Sequence, residues 1–346
     1  MKKLSLSLLA AALLFLGAGT SHAEKYELNF QAAYAPAHTV YKNVLTPWCE
    51  EVSAQHPDLK VLLFAQGAIL EPKEVQDGLV NGMLDMSVMN CTFDAKKYPA
   101  SFLGNLPMLY DSSAMGTEFG WRLYNELPEY KDTLEKCAHV FCMWAPATTG
   151  FFSAKSPIHT PDDLKGKRVL VMLPSDVEVI KVLGGIPVLV APGDIYVGLQ
   201  RGMGELTYTA WPMANGLRLD EVCKYVTLCP FAASLMPHGI SHMTANNLPK
   251  DVLQVILDNS GTKLSDKVSK ALDEDVANVQ ARFRAAGCEL IELNAEQLAA
   301  FQDKAKALVE SYWIPFLESI GLKNAKELVA KTYAIADEVR ATHSGK

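Results

Sequence analysis

The chain has 346 residues, 49% of them hydrophobic, with 32 Lys and Arg against 39 Asp and Glu and a formal charge of −7. That length suggests two domains. The acidic balance gives no support to a nucleic-acid partner, which demands a basic face, and it fits a soluble, freely diffusing protein.

At the amino end, Lys2 and Lys3 precede an apolar run over residues 4–17, and Ser21 and Ala23 place small residues where a signal peptidase reads. Cleavage after Ala23 and export to the periplasm are expected. The mature chain would then hold 323 residues with 30 basic and 39 acidic side chains. No later run approaches the roughly 20 apolar residues a membrane span needs. No cysteine stands at the cleavage point, which argues against a lipid anchor. The seven cysteines are an odd number for an exported chain, so at least one is free or paired between molecules. Cys223 and Cys229 are the nearest plausible local pair, whereas Cys91 and Cys142 lie in apolar runs where buried thiols are ordinary. Without a C-x-x-C there is no zinc-ribbon or thioredoxin-type signal, and no metal or cofactor is expected.

Residues 26–33 read as a strand. Residues 39–54 read as a helix with Val40, Val44, Trp48 and Val52 on one face. A short apolar strand follows at 59–64, then a helix with Pro72 in its first turn and Gly82 at its end, then a third strand at 84–89. This β-α-β-α-β rhythm predicts a parallel sheet covered by helices. It recurs at 168–172, 174–183, 187–190, 193–201 and 206–211, giving a second lobe. Residues 138–146 and 235–245 read as extended crossovers between the lobes. The part from Pro249 onward is mostly helical, with a short extended piece at 289–293.

Residues 156–206 carry the most specific pattern. Pro161, Asp163, Leu164, Lys165, Gly166, Lys167, Gly184, Pro187, Val188, Tyr196, Leu199 and Gly202 fit P-x-D-L-K-G-K, L-G-x-x-P-V and x-x-Y-x-A-L-x-x-G in order. The stretch resembles the second-lobe signature of the DctP-type solute-binding proteins of TRAP transporters. Weaker matches are Gly78 to Asp85, Leu106-Pro107 and Asn246 to Pro249. The resemblance implies an α/β, two-lobed periplasmic-binding-protein fold of type II-like kind, with a long helix over both lobes, for which residues 265–286 are the candidate. The division it implies is lobe I over 24–145 with a return segment at about 239–264, lobe II over 146–238, and the spanning and C-terminal helices over 265–346. It also implies partnership with the small and large subunits of a TRAP membrane permease. A monomer is expected. In the family an arginine grips the ligand carboxylate, and here Leu170 stands at that position. Arg168, two residues earlier on the same strand face, reads either as a displaced carboxylate anchor or as a surface arginine.

In open α/β sheets ligands sit beyond the carboxyl ends of the strands. The expected cleft lining is Tyr34, His38, Gln66, Asn90, Trp144, Thr148, Phe151, Leu170, Met172, Ser175, Tyr208, Trp211, Asn215, Phe231 and His238. Its aromatic content suits an aromatic or indole-bearing acid or amino acid derivative, or a small amine held over ring faces. C4-dicarboxylates and 2-oxo acids are the alternative ligands, although they lean most on the arginine that is absent. About half of these rings are equally well read as lobe core, with Trp144 and Trp211 the strongest cleft candidates. His238 and His242, four residues apart in an extended stretch, would stand about 13 Å from each other and could not share a metal. An exported enzyme is the rival class, but no H-E-x-x-H, G-x-S-x-G or P-loop supplies a nucleophile or base. A sensory subunit would use the same cleft.

Overall fold

The computed structural model describes residues 25–146, 149–172, 174–231 and 234–343, without the side chains of Pro174 and Ser175. The expected leader at 1–23 lies outside the described residues. The strands are β1 (Tyr26–Gln31), β2 (Leu59–Phe64), β3 (Met86–Val88), β4 (His139–Trp144), β5 (Thr149–Ser153), β6 (Arg168–Val171), β7 (Ile186–Leu189), β8 (Leu206–Ala210), β9 (Tyr225–Leu228), β10 (Met236–Ile240) and β11 (Glu289–Glu292). The α-helices are α1 (Thr46–Ala54), α2 (Val75–Val80), α3 (Ser113–Glu126), α4 (Pro128–Glu135), α5 (Pro174–Val182), α6 (Ile195–Gln200), α7 (Trp211–Gly216), α8 (His242–Asn247), α9 (Lys250–Asp258), α10 (Gly261–Ala285), α11 (Ala295–Leu308), α12 (Ile314–Ser319) and α13 (Ala325–His343). Among the described residues, no helix is long and apolar enough to cross a membrane.

Two sheets result, in the orders β2-β1-β3-β10-β4 and β11-β9-β5-β8-β6-β7. The fold is α/β with two lobes. In the first sheet β1 runs parallel to β2 and β3, and β10 runs antiparallel to β3 and β4. In the second, β6 is parallel to β7 and β8, β9 is parallel to β11, and β5 is antiparallel to β8 and β9. The stretches read as crossovers are mostly these return strands: β4 and β10 belong to the first sheet, and the two connections between the sheets on this side follow β4 and precede β10, while α10 and the segment after α11 cross between the lobes again. The return strand begins at Met236, three residues before the expected boundary at 239, and β11 joins the lobe II sheet. Between the two lobe patterns, α3 and α4 have no counterpart in the β-α-β rhythm.

Side-chain alternation along the strands builds a core on each face of each sheet. In lobe I, Phe30 meets Trp48 of α1 and Phe141 of β4 edge-on, at 6.0 and 5.8 Å between ring centres. The other face packs against α3, α4 and α13. In lobe II, Phe151, Val169 and Val171 face α5 and α11, while Phe152 and Leu170 face α6, α7 and α10. Twenty-five residues of helix reach about 37 Å at 1.5 Å per residue, enough to cover both lobes. Accordingly, α10 buries Leu264, Val268 and Leu272 against the lobe I core, and Val279 and Phe283 against the lobe II core.

Candidate ligand site

The register of both sheets turns one edge of each toward the crossovers. On lobe I this edge carries the carboxyl ends of β1, β2, β3 and β4 and the start of β10; on lobe II it carries the ends of β6, β7, β8, β9 and β11 and the start of β5. This is where loops and helix starts converge and where a solute is bound in such sheets.

Four of the expected residues meet at the lobe I edge. The Tyr34 and His38 rings stack at 3.9 Å between centres and 8° between planes. The Trp144 indole N–H donates to the Tyr34 hydroxyl at 3.4 Å, and the Trp144 ring stacks on His238 at 3.9 Å and 27°. His238 is fully buried, and its Nδ1 donates to the Met236 carbonyl at 3.0 Å, so Nε2 keeps a lone pair that no protein group reaches. Burial among the Phe30, Phe141 and Trp144 rings pulls the His238 pKa down to about 3, opposed only by the Met236 carbonyl. Burial also pushes the Tyr34 phenol up and the His38 imidazole down, the latter against the pull of Asp275. Beside them, Asn90 donates its amide to the Pro72 carbonyl at 3.3 Å, and its own backbone carbonyl accepts from Gln76 Nε2. Gln66 is exposed, and its backbone N–H bonds the Tyr34 carbonyl at 3.1 Å.

On the lobe II edge, the Tyr208 hydroxyl and Thr149 Oγ1 lie 2.6 Å apart, and Met172 is half-buried at the end of β6. Asn215 on α7 has a buried Oδ1 without a protein donor. Thr148 and the Ser175 side chain lie outside the described residues.

The remaining expectations are corrected by burial. The six Phe, Tyr and Trp residues of the expected lining fall in three separate core clusters and do not form one group. Trp211 sits at 5.1 Å from Phe152 and 5.5 Å from Phe283, edge-on to both and buried under α10, and it reaches only the wall of a cavity beside that helix. Phe151 packs on Tyr208 at 5.0 Å and Phe301 at 6.0 Å, and Phe231 is buried in that same cluster. Leu170 is fully buried beneath α6. A Cβ on Gly204 would come within 2.5 Å of the Leu170 side chain, and one on Gly198 within 2.8 Å, so two glycines make the space this leucine fills. Arg168 lies at the amino end of β6, away from the cleft edge. Its Nε donates to the Met203 carbonyl at 2.7 Å and its Nη2 to Gly202 at 2.9 Å, so its fork closes the turn before β8. Cys223 and Cys229 fall in different core clusters and are both free thiols; Cys223 instead neighbours Cys288, whose Sγ meets the Cys223 carbonyl at 3.1 Å.

Several residues that hold the edges in place went unread because their work is tertiary. Ser113 Oγ donates to the Ala145 carbonyl at 2.5 Å, and the Ala145 N–H donates to Thr117 Oγ1 at 3.1 Å, fixing the first crossover. Tyr110 fixes the second, donating to the Ser234 carbonyl at 2.7 Å and accepting its N–H at 3.1 Å. Asp273 of α10 accepts the Ser113 and Ala114 N–H groups at 2.9 and 3.0 Å, the charge a helix amino end prefers. A cavity of about 570 Å³ opens here between α10 and the lobe II edge, lined by Thr149, Trp211, Asp111, Asp273 and Glu292, with no Lys or Arg among its lining residues.

Comparison with known proteins agrees with this architecture. A TRAP periplasmic solute-binding protein from Desulfovibrio salexigens superposes with a TM-score of 0.82 at 22% identity, covering 93% of this chain and 98% of that one. A TRAP solute-binding protein from Rhodoferax ferrireducens, solved with copurified benzoate, gives 0.74 at 18% identity, covering 92% and 99%. The ectoine-binding periplasmic protein TeaA of Halomonas elongata is 23% identical over 93% of this chain and 91% of its own length. The profile of bacterial extracellular solute-binding protein family 7, DctP, matches residues 30–315, and the chain belongs to that family.

Proposed function

We propose that this chain is the periplasmic receptor of a TRAP transporter for an aromatic organic acid or aromatic amino acid derivative, which it delivers to the permease without chemistry of its own. The observation that carries the reading is the part-exposed ring stack of Tyr34 and His38 at the lobe I edge, backed by the fully buried Trp144 and His238 rings. Flat rings stack well on such a surface, each pair contributing about 0.5–1.5 kcal/mol beyond burial. The absence of an arginine at position 170 points the same way, since small dicarboxylates depend on a forked donor. The Rhodoferax relative solved with benzoate supports the solute class. Export through a leader ending at Ala23 belongs to the same reading, and closure follows if the solute touches both lobes and so favours the closed state. A second reading, an amine-bearing solute, is favoured by the Asp111, Asp273 and Glu292 carboxylates around the cavity beside α10.

The test is a thermal-shift and calorimetric screen of refolded, ligand-stripped mature protein against benzoate, hydroxyphenylacetate, indole acids, C4-dicarboxylates, 2-oxo acids, ectoine and small amines. A ligand at about 100 times its Kd stabilises by about 2.7 kcal/mol. Aromatic acids are expected to respond. A response confined to amines would move the site to the acidic cavity, and one confined to dicarboxylates would refute both readings.

A further inference from the structure

At the end of the lobe I sheet opposite the ligand edge, three side chains from separate elements converge. Glu135 is the last residue of α4, His139 the first of β4 and His242 the first of α8. The sheet brings the histidines together, because Ile240, two residues before His242, pairs with His139 across β10 and β4. Their rings stand 4.0 Å apart at 79°, and one ligating atom from each of the three residues lies within 4.8 Å of the others.

We propose that Glu135, His139 and His242 form a binding site for a divalent transition ion of the zinc class. Two imidazole nitrogens and one carboxylate oxygen are the donor set that such ions take, with a fourth position left to water. Two of the three ligands are held from behind. Glu135 Oε1 accepts from the Tyr124 hydroxyl at 2.6 Å and the Val140 N–H at 3.1 Å, which leaves Oε2 facing His139 Nδ1 at 2.9 Å. The His242 Nε2 donates to the Glu135 backbone carbonyl at 2.6 Å, and a second nitrogen bonded to a carbonyl is what orients a metal-binding imidazole. The ion would take the place of the proton shared by His139 and Glu135, with the His139 ring N–H moving to Nε2. His139 is exposed, so an ion has a path in. Binding would tie the end of α4, the start of β4 and the start of α8, and so brace lobe I.

The experiment titrates Zn²⁺ into untagged, chelator-stripped mature protein by calorimetry, with thermal unfolding in parallel. We expect one saturable site and, at zinc about 100 times its Kd, a roughly 100-fold shift of the folding equilibrium. His139→Ala, at an exposed position, should fold normally and weaken zinc binding by tenfold or more while leaving solute affinity unchanged. His242→Gln should behave alike, and His343→Ala, at the separate His343–Glu118 pair, should change nothing. No saturable binding by the wild type, or equal binding by the His139 and His242 variants, overturns the proposal.

Discussion

Replacing His238 by Asn tests whether the imidazole is held neutral under the aromatic surface. Asn keeps a donor near Nδ1 for the Met236 carbonyl but cannot take up a proton. In the folded protein the His238 pKa lies at about 3, against 6.5 for an ordinary histidine. Between these values the unfolded chain binds a proton that the folded chain refuses, so stability is full above pH 6.5 and declines as the pH falls toward 3. With an unfolded pKa of 6.5, the deficit at pH 5 is about 2 kcal/mol, and the slope below pH 6 approaches about 1.4 kcal/mol per pH unit. Urea unfolding of the wild type and His238→Asn at pH 8 and pH 5 reads this directly. Whatever the variant costs at pH 8, its loss between the two pH values should be smaller than that of the wild type by about 2 kcal/mol. Equal losses would mean that His238 is protonated in the fold and that its ring is solvated, contrary to the closed stack of Phe30, Phe141 and Trp144 around it.

Arg168→Gln should leave solute affinity within about twofold, the range of a surface substitution, because its donors close the turn at Gly202 and Met203. A larger loss in calorimetry would restore it as a carboxylate anchor. Trp211→Ala should cost about 3–5 kcal/mol in chemical denaturation, as buried aromatics do. Unchanged stability with lost binding would instead put its ring in the cleft. Leu170→Arg forces a guanidinium into a space closed by Gly198 and Gly204, and an uncompensated buried charge costs about 3–5 kcal/mol. A variant of normal stability that gains dicarboxylate affinity would show that position 170 opens onto the ligand.

What the sequence determined by itself was the repetitive and local part. The four-residue spacing of Val40, Val44, Trp48 and Val52 predicted a helix over 39–54, and residues 39–54 are helical, a π-turn over Tyr41–Leu45 leading into α1. The two β-α-β runs, the long helix near residue 265 and the family signature around Lys165 to Gly202 were legible because periodicity and turn chemistry act between near neighbours. Tertiary structure alone decided where each aromatic is buried. Trp144 and Trp211 both follow the last apolar residues of a strand and look alike in sequence, yet one lies on the lobe I stack and the other beneath α10, because the helix that covers Trp211 comes more than fifty residues later. The same holds for Glu135, His139 and His242: an extended reading kept His242 apart from His238, whereas β10 ends at Ile240 and the antiparallel pairing with β4 returns the chain to His139. Strand register joins residues a hundred positions apart, and no pattern of neighbours along the chain encodes it.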